Sequence, residues 1–199
     1  MVVGMAMVPA ASATSCTSTC MFNLMSNNIG VTGSLGTVTV TNISGGVQVN
    51  ISMNTTGCGG SGCDFKLNGG AIVFSLSGGT VSSVNLGAGF SSQLKNNNPG
   101  PFKLSGSLFD IHNIKGGTNA SQNFTFTILG TGLVASDFNG FELHVCTAAN
   151  QAFCTNNTGF AAGVPAGSPP PTVPEPGTLG LLGTGLVGLA GLVRRRFLS

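Results

Sequence analysis

The stretch Thr37-Val38-Thr39-Val40-Thr41-Asn42-Ile43-Ser44-Gly45-Gly46-Val47-Gln48-Val49-Asn50-Ile51-Ser52-Met53 decides the fold class. Apolar and polar residues alternate on both sides of Ser44-Gly45-Gly46, the period of a strand with one face buried and one face wet. The same alternation between turn signals recurs along the chain. It predicts strands at Thr37–Ile43, Val47–Met53, Ala71–Leu76, Val81–Leu86, Phe102–Ser105, Leu108–His112, Phe124–Leu129 and Glu142–Cys146. Asn68-Gly69-Gly70, Ser77-Gly78-Gly79, Asn96–Gly100 and Gly116-Gly117 separate them. Short strands with glycine turns point to an all-β protein, an antiparallel β-sandwich or jelly-roll-like body over residues 14–160. Phe74, Phe102, Phe109, Phe124, Phe126, Phe138 and Phe141 are the expected core aromatics.

Composition narrows the class further. Charged residues make up 6% of the chain, against roughly 25% in ordinary soluble proteins. Asn, Ser and Thr supply the polarity instead. Disorder combines low hydrophobicity with high net charge, and this chain has neither. The net charge of +2 misleads. Three of the basic residues are Arg194, Arg195 and Arg196, and the remainder, Lys66, Lys95, Lys103 and Lys115, faces Asp64, Asp110, Asp137, Glu142 and Glu175. No basic patch exists to displace counterions from a phosphate backbone, so nucleic acid is excluded as a partner.

The 6 cysteines fall into local pairs, Cys16/Cys20, Cys58/Cys63 and Cys146/Cys154. In an exported chain an even count reads as disulfides. Local pairing is expected because closing a short loop costs least. A zinc site would need Cys-x-x-Cys spacing or histidine partners, and the cysteines have neither.

Both ends carry targeting information. Residues 1–13, MVVGMAMVPAASA, are a short apolar run ending in the small-x-small pattern of a signal-peptidase site, Ala11-Ser12-Ala13. The basic n-region is missing, which places the expected true start upstream. An apolar first strand is the competing reading. At the other end, residues 161–172 are rich in Pro, Gly and Ala, the composition of a linker. Then come Pro174-Glu175-Pro176, the apolar run Gly177–Val193 and the Arg194–Arg196 cluster. At 1.5 Å per residue, a helix over that run spans roughly 25 Å, short of the roughly 30 Å hydrocarbon core. A single, glycine-rich C-terminal hydrophobic helix is expected there, a weak anchor with its arginines on the cytoplasmic side.

Segment 173–198 resembles the PEP-CTERM sorting signal: a Pro-Glu-Pro motif, a short glycine-rich hydrophobic helix and a terminal basic cluster, in that order. The resemblance implies recognition by an exosortase, a transient anchor in the cytoplasmic membrane, and delivery to the cell surface or extracellular matrix. Such proteins are associated with exopolysaccharide and biofilm. The body, notably Gly132–Val145, is similar in flavour to bodies joined to this tail elsewhere, which implies placement and no activity.

Candidate chemistry is sparse. Phe109-Asp110-Ile111-His112 and Phe141-Glu142-Leu143-His144 share one pattern, with acid and histidine on one strand face. If the two strands were neighbours, Asp110, His112, Glu142 and His144 could bind a metal. The same residues admit acid–base chemistry. The competing reading is a polar outer face over an apolar inner one. Gly183–Gly188 and Gly130–Ala135 fit dinucleotide fingerprints. The first lies in the apolar run, and the second lacks a βαβ unit and its acid. No nucleophile elbow or P-loop occurs. Sequons stand at Asn42, Asn50, Asn54, Asn119, Asn123 and Asn156. No catalytic set and no cofactor is expected. The leading expectation is a structural, non-enzymatic surface or matrix protein, with a carbohydrate-binding or adhesive module as the alternative. Exposed phenylalanines beside an Asn cluster such as Asn96-Asn97-Asn98 would favour binding, and buried ones structure.

Overall fold

The computed structural model describes residues 16–56, 62–96, 100–116, 120–147 and 158–165. The alternating stretch forms β2 (Gly36–Ile43) and β3 (Gly46–Met53), paired antiparallel with Val40 opposite Val49. Gly45 turns the corner at φ +77°, a conformation that suits a residue without Cβ. Before them runs β1 (Thr19–Asn27). After them come β4 (Cys63–Lys66), β5 (Ile72–Leu76), β6 (Ser83–Asn85), β7 (Ser91–Lys95), β8 (Ser107–Lys115), β9 (Ala120–Ser121), β10 (Asn123–Leu129), β11 (Phe138–Thr147) and β12 (Thr158–Pro165). A 3-10 turn, Ala135–Asp137, precedes β11.

The all-β, antiparallel expectation holds. The two separate layers of a sandwich or jelly roll do not: the strands join in one 12-stranded sheet, ordered β6-β10-β3-β2-β1-β12-β11-β5-β8-β7, with β4 paired to β11 and β9. The sheet curls until it is nearly a barrel. Phe65 of β4 meets Phe124 of β10 at 5.6 Å between ring centroids, drawing distant parts of the sheet together. Inside, Phe22 meets Phe141 edge-on at 5.0 Å, and Phe138 stacks on Phe141 at 5.4 Å. Each such fully buried side chain contributes about 1.5–3 kcal/mol by leaving water.

Of the expected core aromatics, Phe74, Phe124, Phe126, Phe138 and Phe141 line this interior, joined by Phe22 and Phe65, and Phe109 packs at its margin. Phe102 is buried elsewhere. Segment Phe102–Ser105, expected as a strand, is irregular and lies over the outside of the sheet. The expected strand at Val81–Leu86 shortens to Ser83–Asn85.

The largest correction concerns residues 161–165. Expected as the start of a linker, they are half of β12, which is hydrogen-bonded to β1 on one side and β11 on the other. Ala161, Ala162 and Gly163 are buried, and a side chain at Gly163 would strike the backbone of Asn23. Small residues here answer to close packing, not to flexibility. The rest of the expected linker, residues 1–13, and the C-terminal hydrophobic helix lie outside the described residues. Among the described residues no helix is long and apolar enough to cross a membrane.

Cys16 and Cys20 are disulfide-bonded, with Cα atoms 5.2 Å apart, fastening the chain at the start of β1. Cys63 and Cys146 are disulfide-bonded as well. Cys58 and Cys154 lie outside the described residues.

Candidate functional site

Strand alternation gives the curled sheet an outer face, and its two halves differ. On β12, β11, β5 and β8, outward residues fall in rows set by register. Ala162 lies opposite Glu142, Glu142 opposite Val73, and Val73 opposite Asp110. Phe109, Ile111, Phe141 and Leu143 point the other way, into or beside the core. The two Phe-acid-aliphatic-His segments therefore do put acid and histidine on one face.

They are not neighbours. β5 stands between them, so Asp110 and Glu142 are two strand spacings apart, roughly 10 Å between backbones. The expected metal site at Asp110, His112, Glu142 and His144 is corrected accordingly. Among the described residues no three His, Cys, Asp or Glu side chains gather where they could hold a metal. His112 instead places Nε2 2.9 Å from Gln93 Oε1, and its Nδ1 lies 3.3 Å from Asp110 Oδ2. His144 stacks on Phe160 at 4.9 Å.

Sequence reasoning missed that this outer face is covered. Phe102 and Leu104, from the connector between β7 and β8, are 1% and 9% exposed. With Ala71, Val73 and Ala162 they form an apolar layer outside the main core. Beneath this layer Glu142 is 0% and Asp110 2% exposed. The Phe102 N–H lies 3.5 Å from Glu142 Oε1, and Gly100 is pressed so closely on the carboxylate that any side chain there would collide with it. Glu142 Oε2, Asp110 Oδ1 and Ser75 Oγ have no hydrogen-bond partner among the described residues.

A buried carboxylate loses hydration, so its neutral form is favoured. Burial, helped by nearby Asp110 and opposed by the Phe102 N–H, pushes Glu142 up to about 7. Burial also raises Asp110, against the pull of His112 and Lys95. Burial and Lys66 lower His144 to about 4, against a hydrogen bond with Gly69. Of these groups Glu142 lies beneath the Gly100–Phe102 segment, Asp110 is buried nearby, and His144 is half-buried against Phe160.

The other half is bare. Thr19, Thr41, Gln48, Thr127 and Asn85 form one row across β1, β2, β3, β10 and β6. Met21, Thr39, Asn50 and Thr125 form the next, and Asn23, Thr37, Ser52 and Asn123 the third. All are exposed or half-buried, and none is charged. Asn50 Nδ2 donates to Thr125 Oγ1 at 3.1 Å. Asn50 is a sequon asparagine, and two more are engaged: Asn42 Oδ1 accepts from the Ala135 N–H at 2.6 Å, and Asn54 Nδ2 donates to the Ser34 carbonyl at 2.5 Å. Asn119 and Asn156 lie outside the described residues.

Fold and surface define the class: an antiparallel all-β body, disulfide-bonded, followed by a C-terminal extension. That extension makes the assignment more particular. Residues 172–196 match the family model described as the PEP-CTERM protein-sorting motif. The chain thus carries the sorting signal of an exosortase substrate, exported and directed to the outer side of the cell. Pro174, Glu175, Pro176 and Arg194–Arg196 all fall within the matched segment. No curated protein and no solved structure matches the chain.

Proposed function

We propose that the body is a structural, non-enzymatic component of the cell surface or extracellular matrix, associated with exopolysaccharide and delivered there from a transient membrane anchor. The observation that carries this reading is the charge-free face of β1, β2, β3 and β10, mostly Thr, Asn, Gln and Ser with Met21, Met25, Ile43 and Leu129 as its exposed apolar members. Hydroxyl and amide groups at strand spacing can exchange their water for sugar hydroxyls at little net change in free energy. No ion attraction is involved, so a neutral, hydroxyl-rich matrix suits such a face better than a charged one. The non-enzymatic part is supported by the covered acid pair, since a substrate atom must come within hydrogen-bond reach of a catalytic acid.

The test is retention of the exported chain on polysaccharide prepared from its own host's matrix. Retention is expected to persist from low salt to roughly 1 M, where the screening length falls to about 3 Å. No retention, or release by salt alone, would sink the reading. The sorting half has its own check: mature protein from the host should end near Pro176, and an intact mass that includes Arg194–Arg196 on released protein would contradict it.

A further inference from the structure

A cleft of about 460 Å³ opens between the Ser77–Val81 connector, which leads from β5 to β6, and the β7–β8 edge of the sheet. We propose that this cleft is a binding site for a short, uncharged segment of glycan, a specific seat that rests on the exopolysaccharide reading above. Its volume lies inside the roughly 300–1,000 Å³ usual for small-molecule sites.

Phe109 lines the cleft and is half-buried. One face of its ring stacks on Phe74, with centroids 5.3 Å apart and planes 11° apart. The opposite face is turned away from that partner, leaving a platform for the apolar C–H face of a sugar ring. The rest of the lining is uncharged: Leu76 and Val81 are apolar, and the polar groups are Ser77 and Thr80 on one wall, Asn96 and Ser107 on the other. Ser77 Oγ donates to the Asp137 carbonyl at 3.1 Å and Thr80 Oγ1 to the Thr131 carbonyl at 3.3 Å, so both hydroxyls keep lone pairs for incoming hydroxyl donors. Asn96 offers both an amide donor and an acceptor. An ionised ligand would lose hydration here with no opposite charge to meet it.

The wall is built and held. Gly79 sits at φ +67°, and a Cβ there would come within 2.9 Å of the Leu133 Cα. The Ser77 and Thr80 N–H groups bond to the Asp137 and Thr131 carbonyls at 2.7 and 3.1 Å. A fixed wall spares the ordering that a loose loop would require on binding. The nearby Asp137 carboxylate is turned to the Val134 N–H, 2.9 Å from Oδ2, rather than lining the cleft. An apolar platform edged by uncharged donors and acceptors matches a neutral pyranose, which has an apolar face and a rim of hydroxyls.

The experiment titrates the full chain, held in a detergent without a sugar headgroup, with cellotriose, maltotriose, mannotriose and trigalacturonate, followed by saturation-transfer NMR. Saturable binding of at least one neutral trisaccharide is expected, with trigalacturonate clearly weaker. Asn96→Ala, which leaves the core untouched, should weaken binding about tenfold. Phe109→Leu keeps apolar contact with Phe74 but loses the ring, and should weaken it at least as much in a chain that still unfolds cooperatively, with only a modest fall in melting temperature. The site is overturned if no neutral trisaccharide saturates, if trigalacturonate binds equally, or if both variants bind like wild type. Matrix retention of a chain that binds no trisaccharide refutes the cleft alone. Trisaccharide binding by a chain that the matrix does not retain supports the cleft and refutes the broader reading.

Discussion

The two halves of the outer sheet face follow the same alternation and meet opposite fates. On β2, β3 and β10 the outward residues are mostly Thr, Asn, Gln and Ser, with Ile43 and Leu129 at one end, exposed or half-buried and without a charge among them. On β5, β8 and β11 they include Asp110 and Glu142, both buried, and the Gly100–Phe102 segment closes over Glu142. The two carboxylates are buried and the neutral half is wet, the reverse of the usual preference. A protein whose task lay in acid–base chemistry would have to leave those groups reachable. Burying them leaves hydroxyls and amides on the bare half, groups that salt and pH hardly touch.

Substitutions can break this comparison, beginning with the cover itself. Phe102→Ala should destabilise the fold by about 3–5 kcal/mol, as for a large core aromatic. A loss below 1 kcal/mol in urea unfolding would mean that the connector only rests on the sheet.

Glu142→Gln tests the buried charge, and its sign follows from proton binding. The unfolded chain releases the Glu142 proton near 4.5, but the folded chain keeps it to about 7. Across that window the folded state binds more protons, so stability falls as pH rises, by about 3 kcal/mol for this residue. Above pH 7, Glu142→Gln should therefore be more stable than wild type by an amount approaching that figure. A surface glutamate would give almost no change.

His144 runs the other way. The unfolded chain takes up its proton near 6.5 and the folded chain only near 4, so stability falls as pH drops through that window, by about 3 kcal/mol at most. Between 4.5 and 6.5 the two slopes oppose each other. Wild type should be nearly level with pH there. Glu142→Gln should expose a stability that climbs with pH, and His144→Gln one that falls, both read from denaturant midpoints.

The smallest effect belongs to the bare half. Thr39→Ala, at a half-buried strand position, should change stability by no more than about 1 kcal/mol, the span of strand propensities. A large loss would show that this face too is covered, and would remove the support for its meeting a matrix.

Much of this was legible in the residues. Val38/Val40 and Val49/Ile51 announced strands because alternation needs only local sequence. The sorting tail was legible because its three parts are contiguous. β1 was passed over: its alternation, Cys20, Phe22 and Leu24 inward against Met21 outward, follows directly on the leader-like start. β12 was hidden because a strand covered by close neighbours wants Ala and Gly, the composition of a linker. Phe102-Lys103-Leu104-Ser105 alternates as a strand would, yet its apolar residues were chosen to cover an outer face from loop conformation. The echo of acid and histidine was visible, but not β5 standing between its two copies.

The sequence alone determined the address, the β period and which residues share a strand face, since each depends on spacing along the chain. Tertiary structure alone decided which of two outward faces meets water. That depends on where a connector distant in sequence from Glu142's strand folds back, and alternation, which separates inside from outside, cannot see a second layer laid over the outside.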